Sequence, residues 1–314
     1  MTKDSFTLSR RAVLAGAAAL PVTATGAGTA AAAADDGAAA LPLARAFTLG
    51  DMPVTTLLDA SFPRDGVKDI FGGNASDEEF RQVSEENFIP ADQAQFFFTP
   101  TLVETGGEKV LFDTGLGQGG IARALAAAGT SPDAIDLVVI THMHPDHIGG
   151  LMSDGAPTFP NARYVTGRAE YDFWSKMDPG HRVGDLVAAN VTPLADKITF
   201  VEDGASVAPG ITAMAAFGHT PGHMVYHLES GGRQLVLTAD LANHYVWSFA
   251  HPEWIVSFDS DKEAATASRR KVLGMLAADR VPMIGYHMPF PAAGFVEPRG
   301  EGFRFVPVSY QLMG

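Results

Sequence analysis

Thr141-His142-Met143-His144-Pro145-Asp146-His147-Ile148-Gly149-Gly150 is the stretch on which the reading of this chain turns. Three imidazoles and a carboxylate, from His142, His144, Asp146 and His147, fall within six residues. They directly follow the apolar run Ile135 to Ile140, which reads as a buried strand. Side chains two apart on an extended chain share a face, so His142 and His144 can grip one ion together. Pro145 then turns the chain and sends Asp146 and His147 elsewhere in the same pocket, which favours a second ion beside the first. Gly149 and Gly150 allow the backbone to tuck close behind.

More ligands stand at similar places. Phe217-Gly218-His219-Thr220-Pro221-Gly222-His223 follows the predicted strand Ile211 to Ala216. Asp240 ends the strand Gln234 to Thr238, and His287 ends the strand at Val281 to Gly285. Polar residues at the ends of apolar strands are where α/β folds place their sites. Around them the sequence predicts a hairpin over Phe47 to Leu58 and a polar insertion, Pro63 to Pro90, with a helix at Asp77 to Glu86. Strands follow at Phe96 to Glu104, Lys109 to Phe112, Ala162 to Thr166 and Met224 to Leu228. Helices are expected at Ile121 to Ala128, Arg168 to Lys176 and Asp261 to Ala278. Two halves, each of strands followed by helices, suggest two sheets packed face to face with helices outside.

Composition narrows the chemistry. The chain has no cysteine, so disulfides and thiolate zinc sites are excluded and any metal is held by His and carboxylate. Its net charge of −14 disfavours nucleic acid and anionic membranes. No internal apolar run is long enough to span a bilayer, so no membrane anchor is expected. At the N-terminus, Ser9-Arg10-Arg11-Ala12-Val13-Leu14 puts a twin arginine before an apolar stretch, and the alanine tract Ala30 to Ala34 offers cleavage sites. Residues 1–34 are therefore expected to be a cleaved Tat-type export signal, with one domain over 35–314 and a periplasmic or secreted product.

Together, His-x-His-x-Asp-His, then Gly-His-x-Pro-Gly-His, then Asp240 and a late His287 resemble the metallo-β-lactamase superfamily. The motifs run from residue 141 to 287, and the strand end Asp113-Thr114-Gly115 fits the same pattern. The resemblance implies an α/β fold, an αββα sandwich of two mixed β-sheets flanked by helices, with a dinuclear metal site between the sheets. It implies His142, His144 and His219 on a first divalent ion, Asp146, His147 and His287 on a second, and Asp240 bridging them. Zn2+ is the expected metal, and a metal-bridging hydroxide the nucleophile, since zinc brings the pKa of a bound water to about 7. Asp146 and Asp240 are thereby expected to be catalytic as well as ligating.

Within the superfamily, Asp240 separates the chain from typical β-lactamases, and its length and charge separate it from RNA-processing branches. Asp172-Phe173-Trp174, Pro209-Gly210-Ile211, Phe258-Asp259-Ser260-Asp261 and Phe303 to Val308 resemble methyl parathion hydrolase and its relatives. That subgroup implies an exported homodimer hydrolysing small neutral, apolar esters, lactones or phosphotriesters. A β-lactamase and a non-catalytic metal-binding protein are the alternatives. Trp174, Phe258, His244 and Phe62 are the expected substrate-pocket residues. His223 is expected to support its loop, Asp113 to orient a ligand histidine, and Asp259 and Asp261 to cap the long helix.

Overall fold

The computed structural model describes residues 41–310, so the expected export signal lies outside the described residues. The chain opens with the predicted hairpin, β1 (Ala44–Leu49) and β2 (Met52–Leu57), turning at Gly50-Asp51. Next come β3 (Ala60–Asp65), α1 (Val67–Phe71) and α2 (Asp77–Glu86). Ser76 caps α2 in a capping box with Glu79. The predicted strand Phe96 to Glu104 is in fact two, β4 (Gln93–Phe98) and β5 (Thr101–Thr105). They part at Thr99-Pro100, where proline has no N–H for a ladder. β4 pairs with β3 in a separate two-stranded hairpin, while β5 joins β2.

After β6 (Glu108–Phe112) and α3 (Gly120–Ala127), β7 (Leu137–Ile140) leads into α4 (Pro145–Ile148). A two-residue ribbon, β8 (Met152–Ser153) and β9 (Ala156–Pro157), precedes β10 (Arg163–Gly167), α5 (Arg168–Trp174), α6 (Arg182–Asn190) and β11 (Ile198–Val201). The first sheet runs β1-β2-β5-β6-β7-β10-β11. The second is built from β12 (Ser206–Ala208), β13 (Ile211–Ala215), β14 (Met224–Ser230), β15 (Arg233–Ala239), β16 (Met283–Gly285), β17 (Ala293–Arg299) and β18 (Gly302–Pro307), in that order. Between β15 and β16 lie α7 (Trp247–Ala250) and α8 (Lys262–Asp279). α6, β11, β12 and the β17–β18 hairpin carry no element in the sequence reading. α6 mixes glycine and charge into its apolar face, and β11 and β12 are too short for a clear period.

Alternation places the core. On β6 and β7, Val110, Phe112, Leu137 and Val139 point inward to meet Val225, Leu235 and Leu237 of the second sheet. Their neighbours Leu111, Val138 and Ile140 point outward and pack beneath α3 and α6 with Ile121, Leu125 and Val187. Val272, Leu273 and Leu276 of α8 join the core of the second sheet. The expected αββα sandwich of two mixed sheets is what forms, and both sheets contain parallel and antiparallel pairs. Their parallel central strands β7, β15 and β16 end at the same edge, where the site lies.

Candidate metal centre and pocket

Each expected ligand sits just past a strand end. His142 follows β7, His144 is the residue before α4, and Asp146 and His147 lie in the first turn of that helix. His219 follows β13, Asp240 follows β15 and His287 follows β16. Gly149 and Gly150 make the predicted close approach: a Cβ on Gly150 would lie 2.1 Å from the Thr114 carbonyl oxygen. Two non-glycine residues at the site hold left-handed backbone, Asp113 at φ 61° and Ala239 at φ 44°. Such strain persists where surrounding structure overdetermines the geometry, and here it aims Asp240 into the cluster.

The seven side chains converge. His142, His144 and His219 offer ligand atoms within 4.8 Å of one another, as do His142, His147 and Asp240, and Asp146, His147 and His287. Asp240 lies between the groups: Oδ2 is 3.3 Å from His219 Nε2 and 3.1 Å from His287 Nε2, and Oδ1 is 3.2 Å from His147 Nε2. The residues fit a pair of cations. Buried polar atoms normally form hydrogen bonds, yet His142 Nε2, His147 Nε2 and Asp240 Oδ1 are buried here without one, the last two approaching to 3.2 Å with no hydrogen-bond geometry. Charge agrees. Burial opposes protonation of His287, yet the Asp240 and Asp146 carboxylates carry it up to about 10. Despite burial, His219 is pushed up to about 9 by Asp240 and Asp259. The aspartates require positive charge among the rings, and the donor set, all nitrogen and carboxylate oxygen, suits zinc.

The far sides of the His147, His219 and His287 rings are held. Asp113 Oδ2 lies 2.8 Å from His147 Nδ1 and takes the Thr141 hydroxyl at 2.8 Å, so Asp113 orients a cluster histidine as predicted. His287 Nδ1 donates to the Phe97 carbonyl at 2.8 Å. His223 supports its loop, donating to the Ala216 carbonyl and accepting from the Asp240 amide. Asp261 caps α8 as expected, accepting from the Glu263 and Ala264 amides. Asp259 does not. It lies 2.9 Å from His219 Nδ1 and takes 2.9 Å contact from the buried Arg269 guanidinium, which also donates to the Leu241 and Pro252 carbonyls. A helix cap and a ligand-orienting carboxylate look alike in sequence; only the fold brings His219 to it.

Glu170 on α5 is the main residue that sequence reasoning missed. It is fully buried and accepts four hydrogen bonds, from the Met143 amide, the Trp174 indole, the Thr220 hydroxyl and the Gly222 amide. It therefore ties the loop carrying His142 and His144 to the loop carrying His219. Burial raises its pKa, and the four donors work against that rise. The only sequence signal is its spacing of four before Trp174, which is common on any helix.

Above the cluster opens a cavity of about 420 Å³. His144, Asp146, His219, Asp240 and His287 form its floor, and Phe62, Phe96, Phe98 and Phe258 its wall. Phe62 and Phe258 thus stand where predicted. Trp174 and His244 do not line the cavity. Trp174 is buried behind His144, 6.1 Å between ring centroids, with its indole committed to Glu170. His244 is buried, stacked 3.9 Å on Trp247, and its Nδ1 accepts from the Val246 and Trp247 amides. Arg64 and Arg182, unremarked in the sequence, do line the cavity.

Over residues 99–283 the chain matches the family model of the metallo-beta-lactamase superfamily. An N-acyl homoserine lactonase of Bacillus cereus is 28% identical over 155 residues, 49% of this chain and 57% of that protein. A ribonuclease of Thermus thermophilus is 29% identical over 148 residues, 45% of this chain and 34% of that protein. The matched segment thus spans little more than half the length of the lactonases it resembles. Among solved structures, AidC, described as a dizinc quorum-quenching lactonase in complex with a product, superposes with a TM-score of 0.79 at 27% identity, covering 86% of this chain and 99% of that one. AbOPH, described as a hydrolase in the beta lactamase superfamily, shares the fold with a TM-score of 0.79 at 24% identity, over 87% and 99% of the two chains.

Proposed function

The chain belongs to the metallo-beta-lactamase superfamily, and from that premise we propose that it hydrolyses small lactones, esters or phosphotriesters with the aid of two divalent cations, zinc being the expected ion. The observation that carries this reading is Asp240, which stands between two groups of histidines with one carboxylate oxygen buried and without a hydrogen bond. In the proposal, His142, His144 and His219 hold one ion, Asp146, His147 and His287 the other, and Asp240 both. When bound, such a pair supplies an ionised water at neutral pH and polarises the C=O or P=O under attack.

The protein's own residues do the rest. Asp113 and Asp259 fix which nitrogen of His147 and His219 carries the proton, so that the other faces the ions. Asp146 and Asp240 line the cavity floor and are the carboxylates within reach of a leaving group's proton. The phenylalanine wall excludes water and packs the apolar part of the substrate. The likeness to lactonases supports a lactone among the substrates. In the experiment, the purified protein is assayed for metal content and against a panel of acyl homoserine lactones, p-nitrophenyl esters and phosphotriesters. Two metals per chain and turnover abolished by Asp240→Ala are expected. Full turnover after metal is stripped overturns the reading. The segment Ser9 to Leu14 supports export of this hydrolase, which cell fractionation of the full chain tests.

A further inference from the structure

We propose that the pocket selects esters or lactones carrying an anionic group remote from the bond that is cleaved. This rests on the hydrolase reading above and names its substrate class. Arg64 on β3 and Arg182 at the start of α6 reach the same cavity from opposite parts of the chain. Arg81, Arg163, Arg269, Arg270 and Arg304 are ion-paired. Arg64 and Arg182 have no carboxylate partner among the described residues. The Arg64 guanidinium is held by aromatic faces instead, 5.9 Å from the ring centroids of both Phe96 and Phe258.

Two unpaired cations at one cavity are unexpected in a chain with 36 acidic and 22 basic residues. The acidic residues that line the cavity, Asp146 and Asp240, are turned toward histidines of the floor. The pocket is therefore divided. Its floor takes the reacting group, its phenylalanine wall takes an apolar spacer, and its arginines offer forked donors that match a carboxylate, phosphate or sulfonate. At about 420 Å³ the cavity is at the small end of ligand sites, which suits a short bifunctional molecule. A wholly neutral substrate would leave both guanidinium groups unused.

The test compares two esters of equal length, mono-p-nitrophenyl adipate and p-nitrophenyl hexanoate, on the metal-loaded enzyme. We expect kcat/KM to favour the adipate about tenfold at low salt, the scale of one charge-assisted hydrogen bond, and the preference to shrink as ionic strength rises. In the double variant Arg64→Met, Arg182→Met the ratio falls toward one. A wild-type preference for the hexanoate, or a ratio unchanged in the variant, overturns the proposal. A second arm needs no turnover: the protein as purified is titrated with 2-naphthalenesulfonate and with methyl 2-naphthyl sulfone. Tighter binding of the sulfonate, lost in the double variant, supports the anion subsite, and equal binding overturns it. If neither ester is cleaved, the hydrolase reading fails, and the titration still decides the subsite.

Discussion

The two halves of the cluster are built in different ways. The first half is one short run of chain, His142 to His147, folded over the end of β7 and backed by Asp113, at the end of the adjacent strand β6, and by Glu170, which accepts from the Met143 amide. The second half is three separate strand ends, and each needs its own support. His219 leans on Asp259 and Arg269, Asp240 on Asn243 and the His223 ring, and His287 on a carbonyl of the β3–β4 hairpin. Local geometry assembles the first group, because extended spacing and one proline already fan its side chains. Tertiary packing assembles the second, so its support is spread along the chain, from Phe97 to Arg269.

That contrast can be broken at its joint. Asp240→Ala removes the carboxylate that lies beside His142 and His147 of one half and His219 and His287 of the other, and turnover should fall at least about 10³-fold, since metal ions contribute several kcal/mol to transition-state charge stabilisation. Metal analysis should show less than two ions per chain; retained activity would separate Asp240 from the reaction. Next in size are the supports. Arg269→Ala leaves Asp259 buried without its cation and should cost about 3–5 kcal/mol in chemical denaturation, whereas an effect below about 1 kcal/mol would mean Asp259 finds other partners.

Glu170→Ala sharpens the comparison, because Glu170 joins the halves. Four donors lose their acceptor, and a comparable loss of about 3–5 kcal/mol is expected together with weaker metal retention against a chelator. Unchanged chelator sensitivity would show that the two loops are positioned independently. Smaller effects come from the orienting carboxylates. Asp113→Asn and Asp259→Asn should each weaken metal affinity about 10–100-fold. If the contrast is right, Asp259→Asn also loses stability through Arg269, while Asp113→Asn does so less. Smallest is Phe258→Ala on the wall, expected to raise KM about 3–10-fold for an apolar ester with kcat little changed.

The same contrast explains what could be read from the chain. All seven cluster residues and the sandwich were legible, because each ligand follows an apolar strand and the 142–147 run is dense in imidazole. Phe258 was legible only through the family resemblance, which puts its segment at the mouth, and nothing local separates Phe62 or Phe258 from a core aromatic. Glu170, Arg269 and the role of Asp259 were not, because their function is a contact across many residues and their local pattern is ordinary helix and cap. Trp174 and His244 misled for the converse reason. The resemblance puts the segment of Trp174 at the mouth and His244 follows Asp240 by four residues, but helical and loop geometry turns both inward. The split at Thr99-Pro100 was hidden by Phe96, Phe97 and Phe98 before it and Leu102 and Val103 after it, which read as one continuous strand.

The β3–β4 hairpin that results from that split hydrogen-bonds as its own ribbon, outside both seven-stranded sheets. Phe62, Arg64, Phe96 and Phe98 all ride on it, and they form much of the wall a substrate would meet before reaching the floor. It meets the cluster through the main-chain oxygen of Phe97 and through the ring of Phe98, whose centroid lies 5.3 Å from that of His287. Phe62 and Arg64, the outward side chains of this ribbon, are thus free to drift over generations without disturbing the chemistry beneath, while Phe98 stays tied to His287. A lineage could exchange one diet of molecules for another by rewriting a few such positions, and leave the engine as it was.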